Sequence, residues 1–427
     1  MGKKIHILTL GCPKNQVDSE VLAAQLHANG YAVVNSSDEA DVTIINTCGF
    51  IEAAKQESIE TILSTARNKK SSNLKKVIVT GCLVERYKKE LQEGITEVDA
   101  FYGTREIEKI LSDLGAEYKY DMLGDRILST PSHYAYLKIS EGCDNPCSFC
   151  AIPIIRGKHV SRDQNTIINE AEQLARKGVK ELIVVGQDTT YYGIDKSGKR
   201  ELPILLDKLS KVEGIEWIRL MYTYPARFPE ELLDVIREND KICKYIDIPV
   251  QHISEQILKS MRRGISSGKL RELLSKIREK VPSISIRTTL IVGYPTETEK
   301  EFKELYEFVE EFEFDRLGVF TYSMEEGTSA SSLGDPVPPD EKEARQAAIM
   351  ELERNIIYRK NAELIGNEIR VIIDRRDGDN FVGRTEHDAP EIDPEVFVRS
   401  DNDIKPGTFV NVKIEDAFEH DLYGVIK

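Results

Sequence analysis

Short runs of apolar, β-branched residues alternate with amphipathic stretches along the first part of this 427-residue chain. Apolar residues that recur every three to four positions indicate helices, and short β-branched runs indicate strands. The runs lie at 4–10, 42–46 and 76–80, and the helical stretches after them lie at 18–28, 53–66 and 86–92. Strands that alternate with helices form a parallel sheet covered by helices. The pattern predicts an α/β domain of this kind over residues 1–117.

The same alternation of predicted strands and helices resumes after a predicted linker at residues 118–132, which has few apolar pairs. Helical patterns such as 166–177 and 299–312 separate six further apolar runs. These runs predict strands at 134–140, 181–185, 217–221, 245–250, 284–292 and 316–322. Six parallel strands with crossover helices predict a partial, open-sided (β/α)6 barrel over residues 133–362, with its functional residues at the carboxyl ends of the strands.

The pattern changes after an uninterrupted helical stretch at 340–365. Short β-rich runs separated by turns follow at 368–373, 380–385, 395–398, 408–414 and 423–426. Five strands in about sixty residues predict a small OB-like β-barrel over residues 363–427. The fold class is therefore α/β, with a small β domain at the end of the chain.

Composition and charge narrow the possible partners. The chain is 40% hydrophobic and 31% charged, which is typical of a soluble globular protein, and its net charge is −15. A protein that grips nucleic acid by its phosphates needs clustered Lys and Arg, so nucleic acid is an unlikely substrate. Residues 364–427 carry 8 basic and 15 acidic residues, which indicates either a solvated surface or an acidic face that docks a basic protein. The chain shows neither a leader-like start nor an apolar run of membrane-spanning length, so we expect a cytoplasmic protein, with a monomer as the default.

The most specific motif is a C-x3-C-x2-C loop directly after the first predicted strand of the partial barrel: Cys143, Cys147 and Cys150. Three thiolates can ligate three irons of a [4Fe-4S] cube and leave the fourth iron open to a further chelator. A structural zinc site usually needs four ligands, and the nearby His159 stands by itself. Disulfides are disfavoured in a reducing compartment. The loop therefore predicts an open iron–sulfur cluster.

Three more cysteines each follow a predicted strand of the first domain: Cys12, Cys48 and Cys82. They are 36 and 34 residues apart, about one βα unit each, so they should emerge at the same sheet edge. A neighbouring glycine beside each cysteine allows close backbone approach to a bulky cluster. A small buried hydrophobe is the alternative for any one of them, but three equivalent positions predict a second open cluster. Cys243 has no partner cysteine nearby and is expected to pack in a core.

An open cluster iron can bind a ligand that reacts when the cluster transfers one electron to it. S-adenosylmethionine (SAM) fits, because its amino and carboxylate groups can chelate the iron and its reductive cleavage yields a carbon radical.

The octapeptide from Cys143 to Cys150 resembles the signature of radical SAM enzymes. The whole chain resembles the methylthiotransferases, in which an amino-terminal cysteine domain, a radical core and a TRAM barrel follow in this order. The segments GCPKN at 11–15, TCGFI at 47–51 and GCLVERY at 81–87 are similar to the RimO branch. That branch modifies the β-carbon of an aspartate on the small-subunit ribosomal protein at the decoding centre. Its MiaB relatives act on transfer RNA and usually carry a pair such as Gln-Met where this chain has Pro13-Lys14.

The resemblance implies one task for each cluster and one SAM for each task. The cluster of Cys12, Cys48 and Cys82 would present a sulfur for methylation, and the cluster of the C-x3-C-x2-C loop would generate the radical. A basic ribosomal protein as substrate, an electron donor and a sulfur donor are the implied partners.

The resemblance also implies residues that contact SAM at the strand ends. The candidates are Phe149, Gln187, Arg219, Gln251, Arg287 and Val292. An ordinary structural role is the alternative for each, and Gln187 departs in charge from the acidic residue of many relatives. Arg156 is a candidate to neutralise cluster or carboxylate charge. His252 is expected to be a satisfied interior histidine and not a catalyst.

Two other functions stay open. A transfer RNA adenosine methylthiotransferase would share the clusters, but its terminal barrel should be basic. The second alternative is a non-catalytic iron–sulfur protein that binds the ribosome. A purely structural cluster, however, is more often closed by four cysteines.

Overall fold

The computed structural model describes residues 3–69, 73–122 and 124–426, and its three main sheets occupy successive parts of the chain. The first sheet has five parallel strands in the order β2-β1-β3-β4-β5. The strands are β1 (Lys4–Thr9), β2 (Ala32–Val34), β3 (Val42–Thr47), β4 (Lys76–Gly81) and β5 (Ala100–Tyr102). The helices are α1 (Pro13–Ala28), α2 (Glu52–Asn68), α3 (Cys82–Gly94) and α4 (Ile107–Asp113). The predicted parallel sheet is confirmed; its two three-residue edge strands were too short to give a pattern.

The second sheet has six parallel strands in the order β13-β12-β11-β10-β9-β6 and leaves the barrel open between its edges. The strands are β6 (Tyr134–Lys138), β9 (Glu181–Val185), β10 (Trp217–Leu220), β11 (Ile242–Asp247), β12 (Ser285–Val292) and β13 (Arg316–Thr321). A short hairpin, β7 (Ser140–Glu141) with β8 (Val160–Ser161), brackets the C-x3-C-x2-C loop. The predicted partial barrel is thus confirmed.

Helices cover the outside of this barrel and bury a continuous apolar core between themselves and the strands. Two short helices lie outside this core: α5 (Ile152–Ile155) follows the C-x3-C-x2-C loop, and α7 (Ile194–Ser197) contacts β8. The covering helices are α6 (Gln164–Arg176), α8 (Leu202–Leu209), α9 (Glu231–Glu238), α10 (Glu255–Ser260), α11 (Ser267–Lys280) and α12 (Glu299–Phe312). The strand β11 differs most from its prediction of 245–250, because it begins at Ile242 and ends at Asp247. Pro249 lies in the predicted run, and a proline cannot donate to the strand ladder.

The long helix α13 (Pro339–Ala362) leads into a closed five-stranded barrel, as predicted. Its strands are β14 (Glu368–Asp377), β15 (Asn380–Arg384), β16 (Val396–Arg399), β17 (Phe409–Ala417) and β18 (Leu422–Ile426). The exact domain boundaries stay predictions. Within the described ranges, no helix is long and apolar enough to cross a membrane.

The closed barrel docks on the amino-terminal ends of the strands of the partial barrel. Its β15–β16 connection brings acidic side chains to buried arginines: Asp393 Oδ1 lies 3.2 Å from Arg287 Nε, and Asp388 pairs with Arg316. The hydroxyl of Tyr245 donates to Asp393 over 2.7 Å. Part of the acidic excess of the terminal segment is therefore internal, where it neutralises arginines of the partial barrel instead of facing solvent.

Candidate functional site

The C-x3-C-x2-C loop lies at the carboxyl end of β6 and is anchored on both sides. The backbone N–H of Cys143 donates to the carbonyl of Gly157 over 3.1 Å, and that of Ser148 donates to the carbonyl of Met261 over 3.0 Å. Burial raises the pKa of Cys143 to about 11 and that of Cys150 to about 12, and the charges of neighbouring thiolates in the loop act in the same direction. Thiols of this kind are poor nucleophiles at neutral pH, and a metal ion is the partner that deprotonates them.

Polar groups contact two sulfurs of the loop, and those at Cys147 come from outside the loop. Arg263 Nη1 donates to Cys147 Sγ over 3.3 Å, and the Tyr224 hydroxyl lies 3.4 Å from the same sulfur. Asn145 Nδ2 donates to Cys143 Sγ over 3.4 Å. The sequence pattern could not indicate Arg263 or Tyr224, because each reaches Cys147 from a distant part of the chain.

The second set of cysteines follows three neighbouring strands, β1, β3 and β4, at one edge of the first sheet. The loops touch directly: a Cβ added to Gly11 would lie 2.7 Å from Cys48 Cβ, and one added to Gly49 would lie 2.7 Å from the backbone nitrogen of Leu83. The pKa of Cys82 is raised to about 11, mainly by burial; the positive charge of Arg156 opposes the shift, and the charges of Cys12 and Cys48 contribute to it. The structure therefore brings Cys12, Cys48 and Cys82 together.

Gly49→Ala tests how tightly these loops are packed. The new Cβ would meet the backbone of Leu83 at 2.7 Å and that of Cys82 at 2.9 Å, so one loop must shift. Overpacking of this kind costs about 1–3 kcal/mol, and we expect a lower melting temperature and less iron bound after reconstitution. Gly94→Ala, at the end of α3 with nothing within 4 Å, is the control and should be neutral or stabilising. Equal behaviour of the two variants would contradict the close packing.

Arg156, which follows the C-x3-C-x2-C loop, contacts the other cysteine set across the domain interface. Its Nη2 is 3.4 Å from Cys82 Sγ and also donates to the side-chain oxygen of Asn15. Its Nη1 pairs with Asp18 at 2.8 Å and with Glu141 at 3.3 Å. Ala151 and Ile155, just after the C-x3-C-x2-C loop, pack on Cys82. The cysteine set of the first domain therefore contacts the segment that follows the C-x3-C-x2-C loop.

Further contacts fix the first domain over the carboxyl end of the partial barrel. Arg86 Nη1 donates to Glu325 Oε2 over 2.6 Å and to the carbonyl of Gly49 over 2.9 Å. Lys14 Nζ lies 3.4 Å from the centre of the Tyr222 ring. A cavity of about 250 Å³ remains beside this interface, lined by apolar residues of α1 and by Asp18, Lys138, Arg156, Arg162 and Glu170.

Gln187 and Gln251 lie at the carboxyl ends of β9 and β11 and present buried acceptors. Gln187 Nε2 donates to Glu141 Oε1 over 2.7 Å. The side-chain oxygens of both glutamines are buried and have no hydrogen-bond partner among the described residues. Buried polar atoms of this kind usually have a partner, so both suit a ligand that donates hydrogen bonds.

The other residues named from the sequence pack among neighbouring side chains of the fold. Phe149 packs on an apolar cluster that includes Met261 and Tyr294. Val292 belongs to the core of the partial barrel, and its carbonyl accepts from the backbone of Tyr322. His252 is fully buried, with Nε2 3.3 Å from Glu297 Oε2. Cys243 is fully buried in a core, apart from both cysteine sets.

Arg219 and Arg287 differ from their predicted place at the strand ends. Each is the third residue of its strand, and their side chains reach the domain interface at the amino-terminal side of the barrel. Arg219 pairs with Glu181 at 2.7 Å and donates to the carbonyl of Glu386 over 2.7 Å, and Arg287 pairs with Asp393. Both arginines therefore contact the terminal barrel, which supplies carboxylate and carbonyl partners to them.

Among the described residues, no group of three or more His, Cys, Asp or Glu is spaced to hold a single metal ion. A [4Fe-4S] cube makes a different demand, since its three protein thiolates bind three different irons. The two sets of three cysteines fit such a cube, and an arginine donates to one sulfur of each set.

Comparison with known folds places this architecture in a class. Family descriptions match in three parts: "Uncharacterized protein family UPF0004" at residues 4–103, "Radical SAM superfamily" at 137–309 and "TRAM domain" at 365–426. The fold is similar to TsrM from Kitasatospora setae, with a TM-score of 0.55 and 13% identity over 75% of each chain. It is also similar to OxsB, with a TM-score of 0.53 and 13% identity over 82% of this chain and 56% of that one. The molecule is thus a radical SAM protein with a carboxy-terminal TRAM barrel.

Close relatives specify the family within that class. "Ribosomal protein uS12 methylthiotransferase RimO" of Cytophaga hutchinsonii is 53% identical over 426 residues, covering 99% of this chain and 98% of the relative. The protein of the same name from Chloroherpeton thalassium is 52% identical over 425 residues, with coverage of 99% and 98%. The chain belongs to the RimO family of radical SAM methylthiotransferases, and it is a transferase.

Proposed function

We propose that this chain adds a methylthio group to the β-carbon of an aspartate of ribosomal protein uS12. In this proposal, two [4Fe-4S] clusters are held by Cys12, Cys48 and Cys82 and by Cys143, Cys147 and Cys150, and two SAM molecules are used per turnover. The observation that carries the proposal is that Cys82 of one three-cysteine site contacts Arg156 and Ile155, which follow the other three-cysteine site, in a member of the RimO family.

The residues around each site fit these groups. When bound, the clusters and SAM supply a carbon radical at the C-x3-C-x2-C loop and a sulfur that accepts a methyl group at the other site. Asn145 and Arg263 hold the sulfurs of the loop by hydrogen bonds. The unpartnered oxygens of Gln187 and Gln251 are our proposed acceptors for the amino group of SAM, and Phe149 and the backbone at Val292 are proposed to lie near its adenine.

The remaining acidic residues of the TRAM barrel support a basic protein as the substrate. Asp377 and Asp379 lie on the β14–β15 turn, Asp401 and Asp403 lie on the β16–β17 connection, and all four are exposed. Arg376 Nη1 lies 3.4 Å from Asp403 Oδ1, so these two loops are neighbours. An acidic end of this kind attracts a basic protein and repels the phosphates of RNA. We propose that this acidic end of the TRAM barrel docks uS12 in the cytoplasm. We also propose that the enzyme is a monomer and that separate donors supply its electrons and its sulfur.

A direct assay distinguishes the candidate substrates. The chain is reconstituted anaerobically with iron and sulfide and is then supplied with a reductant, SAM and either uS12 or transfer RNA. We expect the mass of uS12 to rise by one methylthio group, located on an aspartate by fragmentation of the peptide. Modification of transfer RNA with unmodified uS12 would favour the RNA enzyme, and unmodified substrates from a fully loaded chain would favour a binding protein.

A further inference from the structure

Arg263 is a buried cation whose side chain is directed at a cysteine instead of at a carboxylate. It is 3% exposed, and its Nη1 donates to Cys147 Sγ over 3.3 Å. Its Nη2 donates to the carbonyl of Pro249 over 2.5 Å, and its guanidinium carbon lies 4.4 Å from the centre of the Tyr224 ring. Among the described residues, none of the ion pairs within 4 Å includes Arg263. An uncompensated buried guanidinium is costly, so this residue needs a negative partner.

The arginine of the other cysteine site has different partners. Arg156 also donates to a cysteine sulfur, over 3.4 Å, but Asp18 and Glu141 already balance its charge at 2.8 and 3.3 Å. Arg156 therefore has two carboxylate partners of its own, whereas Arg263 has no carboxylate within 4 Å among the described residues. The two sites differ in the charge that their arginines present to the sulfurs.

We infer that Arg263 is a positioning residue that sets the reduction potential of the cluster held by Cys143, Cys147 and Cys150. This inference rests on the proposed function, because it requires a cluster at that loop. Hydrogen bonds to cluster sulfurs and nearby positive charge stabilise the reduced, more negative cluster and so raise its potential. Arg263 supplies both from one fixed side chain, because Pro249 and Tyr224 hold its planar fork against Cys147.

The test measures the potential of this cluster by itself. In the full chain, Cys12, Cys48 and Cys82 are replaced by Ala, so that one cluster remains, and its potential is titrated with spin-resonance detection and without substrate. Arg263→Gln should move the midpoint potential to a more negative value at unchanged iron content. Arg263→Lys should recover part of the shift, because it keeps the charge but loses the fork. Arg262→Gln changes an exposed neighbour without a sulfur contact and should leave the potential unchanged.

A second readout separates tuning from a merely structural role. With a weak reductant, Arg263→Gln should form 5′-deoxyadenosine at least about tenfold more slowly than the parent, which corresponds to about 1.4 kcal/mol, and a stronger reductant should restore the rate. Loss of iron without a potential shift in either Arg263 variant, or a slow rate that a stronger reductant does not restore, would overturn the inference. If Arg263→Gln does not load a cluster, the midpoint potential of Arg263→Lys is compared with that of the parent. A more negative potential supports the inference, and an unchanged potential contradicts it. A potential shift in a chain that leaves uS12 unmodified would support the inference and reject the proposed substrate.

Discussion

Cys147→Ala is expected to abolish formation of 5′-deoxyadenosine, whereas Cys48→Ala should leave cleavage of SAM measurable and stop methylthio addition. Cys147 lies in the loop at the end of β6, where Arg263 and Tyr224 contact its sulfur. Cys48 lies in another domain, at the end of β3. Loss of one thiolate should therefore disable the local cluster and spare the other. Chromatography of the nucleoside product and mass spectrometry of uS12 measure the two activities separately.

The matched control for both variants is Cys243→Ala. This cysteine is fully buried and belongs to neither set, so its removal should preserve both activities. Equal loss of both activities in Cys48→Ala, with the loop cluster shown intact by iron analysis and spectroscopy, would contradict the proposed division of labour.

Arg384→Met is expected to lower the stability of the docked TRAM barrel by about 1.5–3 kcal/mol, because it removes charged hydrogen bonds to two carboxylates, while Glu181 keeps Arg219 and Asp374 keeps His133 as partners. Arg384 Nη2 pairs with Glu181 Oε2 at 2.8 Å, and its Nε pairs with Asp374 Oδ2 at 2.6 Å. Both Arg384 and Glu181 are almost fully buried between the two barrels.

The single tryptophan of the chain can report this loss. The Trp217 ring lies 4.9 Å from the Phe409 ring of the TRAM barrel, so its fluorescence should follow undocking. We expect Arg384→Met to move the transition seen by Trp217 to a lower urea concentration. Arg375→Met removes an exposed pair with Glu395 and should change stability by less than about 1 kcal/mol. Similar losses in both variants would argue against a buried ionic joint between the barrels.

The elements of the fold follow from the sequence because their apolar periods are clear. The run at 181–185 coincides with β9, and the cysteines at the ends of β1, β3 and β4 share an edge because parallel neighbouring strands end together. The pattern is less informative where two environments meet. Arg219 and Arg287 lie within apolar runs, yet they are directed at the TRAM barrel, whose docking position no local pattern encodes.

The acidic terminal segment shows the same limit. The acidic residues of this segment are evident in the sequence, but the structure places them in two different environments. Asp388 and Asp393 balance arginines of the partial barrel, while Asp377, Asp379, Asp401 and Asp403 remain exposed. Charge counts do not distinguish a buried pair from a docking face, because that difference depends on which surfaces pack together.

The sequence by itself determined the class of this protein, since the spacing of Cys143, Cys147 and Cys150 is local and one βα unit separates Cys12 from Cys48 and Cys48 from Cys82. The tertiary structure decided how the two sites meet and what surrounds their sulfurs. Arg156 reaches Cys82 from another domain, and Arg263 reaches Cys147 across more than one hundred residues of chain. Such contacts form only when domains and loops pack, because hydrogen bonds and charges act over a few ångströms in space and not along the sequence.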